Sequence, residues 1–229
     1  MKRTIGYFGD SFCAQYEERL GSWPTYMQII EQELDLKTVH MGENGTGVGD
    51  LVLNQFMPLA HNKQLPDISV FFWTNHSRLF HRTKRGLNIR SVADPQGDPI
   101  VQAAKDYYTH LWDGDYSLLE YTAIVKHFDR DILTQVAHAT QIVHLWCFGE
   151  PHDLDPQQAE RDFRTGRVYY PHEFTTGREI RPPMMTIALE GSNWSELVAR
   201  QWANHFDTQA KNERVAGLII DSLAGPANT

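Results

Sequence analysis

Two cysteines in 229 residues are too few for a disulfide framework. Long apolar runs are missing too: none approaches the ~18 residues of a membrane span. The stretch behind the opening Met-Lys-Arg, "TIGYF", is too short for the hydrophobic region of a signal peptide. The expectation is a cytoplasmic protein without a membrane span. Cationic residues are in deficit, with 21 Lys and Arg against 29 Asp and Glu and a net charge of −8, which argues against a phosphate-binding surface. The basic stretch "HRTKRGLNIR" (81–90) reads as a solvated loop, and no nucleic-acid partner is expected. No CxxC or HxxxH spacing occurs in "HLWCFGEPHDLD" (144–155). His144, Cys147, His152, Asp153 and Asp155 therefore read as strand and loop residues, and no metal is expected. With no repeat, low-complexity tract or linker, the chain reads as a single domain over 1–229, large enough to bury a sizeable core.

What is present is an alternation. The runs "RTIGYF" (3–8), "KTVHM" (37–41), "DISVFFW" (67–73) and "QIVHLWCF" (141–148) predict buried strands, and "MMTIAL" (184–189) a fifth. Between them, "WPTYMQIIEQEL" (23–34) and the 116–137 stretch carry apolar residues at helical spacing. A last helix is expected over 207–223, with Asp207 suited to cap it. Strands alternating with helices predict an α/β protein, a three-layer α/β/α sandwich around a central, mainly parallel sheet of about five strands. Two stretches, 80–115 and 149–183, break the alternation and read as surface insertions.

In such sheets, sites form at the carboxyl ends of the strands. Behind the first strand stands "GDS", whose Ser11 is either a helix cap or a nucleophile. The Gly-rich turn "MGENGTGVGD" (41–50) follows the second; it lacks the GxxxxGK[ST] and GxGxxG patterns, so it is either a turn needing positive φ or a backbone cradle. "WTNHSRLF" (73–80) follows the third, and its Asn75 either closes a turn or offers an amide to a developing oxyanion. His205, just before the last helix, is a surface residue or a base. Cys13 has no cysteine-protease pattern around it and reads as a small buried thiol.

Taken in chain order, Ser, Gly, Asn and His resemble the SGNH hydrolases, or GDSL-type esterases, across nearly the whole chain, from "YFGDSF" through "ENGTG" to "NHFDTQAKNERVA". The resemblance implies the flavodoxin-like SGNH fold and a serine esterase without a cofactor. Ser11 would be the nucleophile and His205 the base. The oxyanion hole would comprise the Ser11 N–H, the Gly45 N–H (Gly47 in reserve) and the Asn75 amide. Asp10 would pin the nucleophile loop. The implied substrate is a carboxylic ester with a short acyl or O-acetyl group, on a small molecule, carbohydrate or lipid.

Two positions depart from the family's pattern. Its third block usually reads Gly-x-Asn, where this chain has Trp73-Thr74-Asn75, and Trp73 would narrow the site. Its acid usually stands three residues before the His, where this chain has Trp202. The acid's task is to accept the Nδ1–H bond and fix the tautomer. The Trp202 carbonyl lies at the right offset, with Asp207, Glu190 or Glu196 as carboxylate alternatives. An acyltransferase using the same acyl-enzyme and a non-catalytic module with a decayed triad are the rival readings.

Overall fold

The run Ile68–Trp73 is buried at every position, as a central strand of a sheet covered on both faces must be. The computed structural model describes residues 2–14, 23–88, 92–93, 96–148, 150–151, 161–162, 168–191 and 206–225. Its central sheet contains β1 (Thr4–Phe8), β2 (Lys37–His40), β3 (Ile68–Trp73), β4 (Gln141–Trp146) and β7 (Arg178–Ile180). All pairings are parallel and the spatial order is β2-β1-β3-β4-β7. The two-residue strands β5 (Glu150–Pro151) and β6 (Val168–Tyr169) pair antiparallel beside it. The order reverses between β1 and β3, so the crevice at a topological switch point opens beyond their carboxyl ends.

Alternation along the strands divides the core in two. Ile5, Tyr7, Val70, Phe72, Val143 and Leu145 face one side and pack with residues of α1 (Tyr26–Glu33), α5 (Met184–Ala188) and α6 (Gln209–Ala224). Phe8, Phe71, Trp73, Ile142 and Trp146 face the other. They meet α2 (48–61) and α4 (114–136), which carry π-helical turns at Leu51–Phe56 and Phe128–Leu133. This is the three-layer α/β/α sandwich expected. Local chemistry sets the helix starts. Thr25 and Gln28 form a reciprocal capping box on α1, and Asp113 accepts the Tyr116 N–H on α4. Asp98 accepts the N–H groups of Ile100 and Val101 at the start of α3 (Pro99–His110), behind a Pro at the first helical position.

Three expectations are corrected. "MMTIAL" is not the fifth strand: Met184–Ala188 is the helix α5, capped by Pro183. All five residues are buried, so the run shows no helical periodicity and reads equally well as a strand. The fifth strand is β7, inside the 149–183 stretch expected as an insertion. Finally, the cap of α6 is Thr208, whose side chain accepts the Lys211 N–H, and not Asp207. Asp207 instead bonds the buried Lys211 ammonium at 2.7 Å, which also donates to the Ala188 carbonyl.

A polar relay crosses the second core. Trp73 Nε1–H donates to His144 Nδ1 (3.1 Å), so the His144 proton sits on Nε2 and donates to the Thr176 carbonyl (2.8 Å). Phe174 stacks on the imidazole at 3.7 Å between ring centroids. Burial pushes the His144 pKa well below the ordinary imidazole value, against weaker upward pulls from its bond to Thr176 and from Asp129. His144 is therefore neutral in the fold but takes a proton in the unfolded chain as pH drops through ~6.5. Stability is expected to be complete above that pH and to fall below it, by up to ~1.4 kcal/mol per pH unit for this group. Burial lowers His40 as well, which adds in the same direction. An NMR titration checks this: the His144 Cε1–H shift should stay constant from pH 7.5 to 5, and a midpoint near 6.5 would contradict it.

Among the described residues, no helix is long and apolar enough to cross a membrane. No group of three or more His, Cys, Asp or Glu in the described residues could hold a metal ion.

Candidate active site

The nucleophile loop leaves β1 through Gly9, at φ +152°. A Cβ there would lie 2.6 Å from the Phe72 carbonyl oxygen, so only glycine lets the chain turn this close to β3. Asp10, fully buried, organises the rest of the loop. Its Oδ1 accepts the Phe12 N–H (3.1 Å), and its Oδ2 accepts the Thr74 hydroxyl (2.8 Å) and pairs with Arg78 Nη1 (3.1 Å). The expectation that Asp10 pins this loop is matched by those bonds. Ser11 comes next, 8% exposed. It lies in a turn just beyond the carboxyl end of β1.

Beyond β2, the Gly-rich turn is tied to the same loop. Glu43 N–H donates to the Gly9 carbonyl (3.1 Å) and Gly42 N–H to the Cys13 carbonyl (3.0 Å). Gln55, on the π-helical turn of α2, accepts the Gly9 N–H (2.8 Å) and donates to the Gly9 carbonyl and the Thr46 hydroxyl (2.9 Å each). Gly45 adopts φ +75°, and a Cβ would meet the Gly86 backbone at 2.7 Å. The structure separates Gly45 from Gly47. The Gly47 N–H points to the Asp50 carboxylate (3.4 Å), whereas the Gly45 N–H has no acceptor among the described residues.

The third loop begins Trp73-Thr74-Asn75, and the Thr74 hydroxyl donates to Asp10. Trp73 does not narrow the site: it is fully buried in the second core, stacked on Phe71 and Phe174. Asn75 accepts the Ser77 N–H on Oδ1 (2.6 Å), which closes a turn. Its Nδ2 donor carries no hydrogen bond among the described residues. Hydroxyls from two helices fix the carbonyls around it: Tyr121 holds Thr74, Ser117 holds His76, and Tyr108 holds Ser77.

His205, Trp202 and Glu196 lie outside the described residues. Phe206, the next residue after His205, is buried and packs against Phe12, the next after Ser11, at 5.6 Å between ring centroids. Asn212 secures that turn by donating to the Phe206 carbonyl (2.7 Å) and accepting the Tyr26 N–H (3.0 Å). Of the alternative acids, Asp207 is held by Lys211 and Glu190 by Arg214.

The thiols are poor rivals for Ser11. Cys13 and Cys147 are unpaired and wholly buried, and burial, reinforced by the Asp10 charge, pushes both pKa values well above the usual thiol range. Sequence reasoning missed Gln55, Thr74 and Arg78 as organisers of the site. Thr74 carried a signal, since a hydroxyl just beyond a buried strand invites the question of its acceptor.

No protein-family model matches the chain, and no curated protein matches it. Among solved structures, it is similar to a mutant of Axe2, an acetyl-xylooligosaccharide esterase from Geobacillus, at 15% identity over 98% of this chain and 95% of that one, with a TM-score of 0.49. It is also similar to the psychrotrophic esterase EstA from Pseudoalteromonas sp., at 12% identity over 97% of each chain, with a TM-score of 0.44.

Proposed function

We propose that the protein is a serine hydrolase of carboxylic esters, with a short acyl or O-acetyl group as the part transferred to Ser11. The observation that carries this is the joining of three loops, at the carboxyl ends of adjacent parallel strands, into one hydrogen-bonded unit holding Ser11, Gly45 and Asn75. Two donors suited to an oxyanion, the Gly45 N–H and the Asn75 Nδ2, are uncommitted among the described residues. Packing of Phe206 on Phe12 supports a base at position 205 working on Ser11.

In this reading His205 Nε2 takes the Ser11 Oγ proton as the oxygen attacks the ester carbonyl. The negative oxygen of the tetrahedral intermediate is met by the Ser11 and Gly45 N–H groups and by Asn75 Nδ2. His205 then gives its proton to the leaving alcohol, and water, activated by the same imidazole, releases the acid and restores Ser11. The Trp202 carbonyl accepts the His205 Nδ1–H bond, a role consistent with the engagement of Asp207 and Glu190 by other cations.

The test is turnover of p-nitrophenyl acetate by the wild type and by Asn75→Ala. The variant is expected to lose about 10²–10³-fold in kcat with KM little changed, the effect of removing one oxyanion donor. Absence of wild-type turnover, or an unchanged kcat in the variant, would contradict the proposal.

A further inference from the structure

The side chain of Arg78 is almost wholly enclosed, 11% exposed, and one of its guanidinium nitrogens serves two loops at once. Nη1 lies 3.1 Å from Asp10 Oδ2, on the nucleophile loop, and 2.8 Å from the Thr46 carbonyl, on the Gly45–Thr46 turn. Arg78 itself belongs to the loop that carries Asn75. Its own backbone presses on the second turn, where a Cβ at Gly47 would meet the Arg78 Cβ and carbonyl oxygen at 3.3 Å. The side chain therefore ties together the three segments that supply the nucleophile and the oxyanion donors.

We infer that Arg78 is a positioning residue which sets the spacing between Ser11 and the Gly45 N–H. The inference rests on the hydrolase reading above and deepens it. Asp10 is a buried carboxylate, and the Arg78 cation pairs with it and fixes its place; without that partner, the loop around it must relax or admit water. The Thr46 carbonyl belongs to the Thr46–Gly47 peptide, two peptides along from the Gly45 N–H, so releasing it loosens the turn that aims this N–H at an oxyanion. A displacement of about 1 Å at such a site costs on the order of 10²-fold in rate. Arg78 spends its Nη1 bonds inside the protein, on Asp10 and Thr46, with its side chain almost wholly enclosed, so the loss belongs in kcat. A lysine keeps the charge but has a shorter reach, so it can hold Asp10 while losing Thr46.

Two measurements test this on the intact protein. In p-nitrophenyl acetate kinetics, Arg78→Met should lower kcat about 10²-fold with KM within about twofold, and Arg78→Lys should recover part of the loss. In hydrogen exchange followed by mass spectrometry, Arg78→Lys should speed exchange in peptides covering 9–14 and 42–48 while β3 and β4 keep their protection. An unchanged kcat in Arg78→Met, or a loss confined to KM, overturns the inference. Uniformly faster exchange over the whole chain in Arg78→Lys also overturns it, because it marks a general loss of stability. If the wild type turns over no ester and Ser11 is not labelled by an active-site probe, the hydrolase reading fails. The exchange arm then still decides whether Arg78 joins these loops.

Discussion

Replacing Ser11 with alanine is expected to lower ester turnover by about 10⁴–10⁶-fold, the loss typical of deleting the nucleophile of a cooperating set. No neighbouring group can take its place. Cys13 and Cys147 are buried and held protonated, and Asp10 is engaged by Thr74, Phe12 and Arg78. The substitution removes one small side chain at a position 8% exposed, and the architecture of the loop rests on Asp10, Gly9 and Gln55. Unfolding in urea should therefore shift by less than about 1 kcal/mol. A catalytic loss of that size with so little change in stability separates a reacting atom from a structural one. Residual turnover above a hundredth of wild type, after purification away from contaminating esterases, would contradict the assignment.

The second large effect lies on the other side of the sheet, away from chemistry. Asp129 is fully buried on the π-helical turn of α4. Its Oδ2 takes hydrogen bonds from His172 Nε2 (2.9 Å) and from the Thr175 N–H and hydroxyl (2.8 Å each), and its Oδ1 takes the Thr176 N–H (2.9 Å). Burial alone would raise its pKa, but these bonds outweigh it and hold the carboxyl below the ordinary value. Asp129→Ala leaves all four donors without their acceptor. The expected cost is about 3–5 kcal/mol, read as a lower urea midpoint. It should be accompanied by faster exchange across 172–180, because this segment delivers β7 to the sheet edge. The sign of the pH effect is set by the depressed pKa: the Asp129 contribution is present above ~4 and is lost as pH falls through the lower folded value. A loss under 1 kcal/mol in Asp129→Ala would show that the four bonds are replaced by water.

The elements that were legible in the sequence share one property: the pattern needed to see them is local. β1, β3 and β4 are contiguous apolar runs because both faces of each are covered. β7 is three residues long with only Ile180 buried, too short to show any period, and α5 is buried all round and so mimics a strand. The site divides the same way. Ser11, Gly45 and Asn75 could be proposed because each stands beyond its own strand. Gln55 acts on Gly9 across 46 residues, and nothing near either position announces the partner. Thr74 looked like a variable position between Trp73 and Asn75, and its value emerged only with Asp10 at 2.8 Å. Trp73 looked like a wall of the site, yet strand alternation turns its ring into the core, where its N–H is accepted by His144.

The central claim is that Ser11 is an activated nucleophile, and covalent labelling tests it most directly. At neutral pH, a fluorophosphonate probe should modify the wild-type protein once. The adduct should map by mass spectrometry to Ser11, should be absent in Ser11→Ala, and should form far more slowly in His205→Ala. No adduct on Ser11, or labelling that persists unchanged in Ser11→Ala, would contradict it.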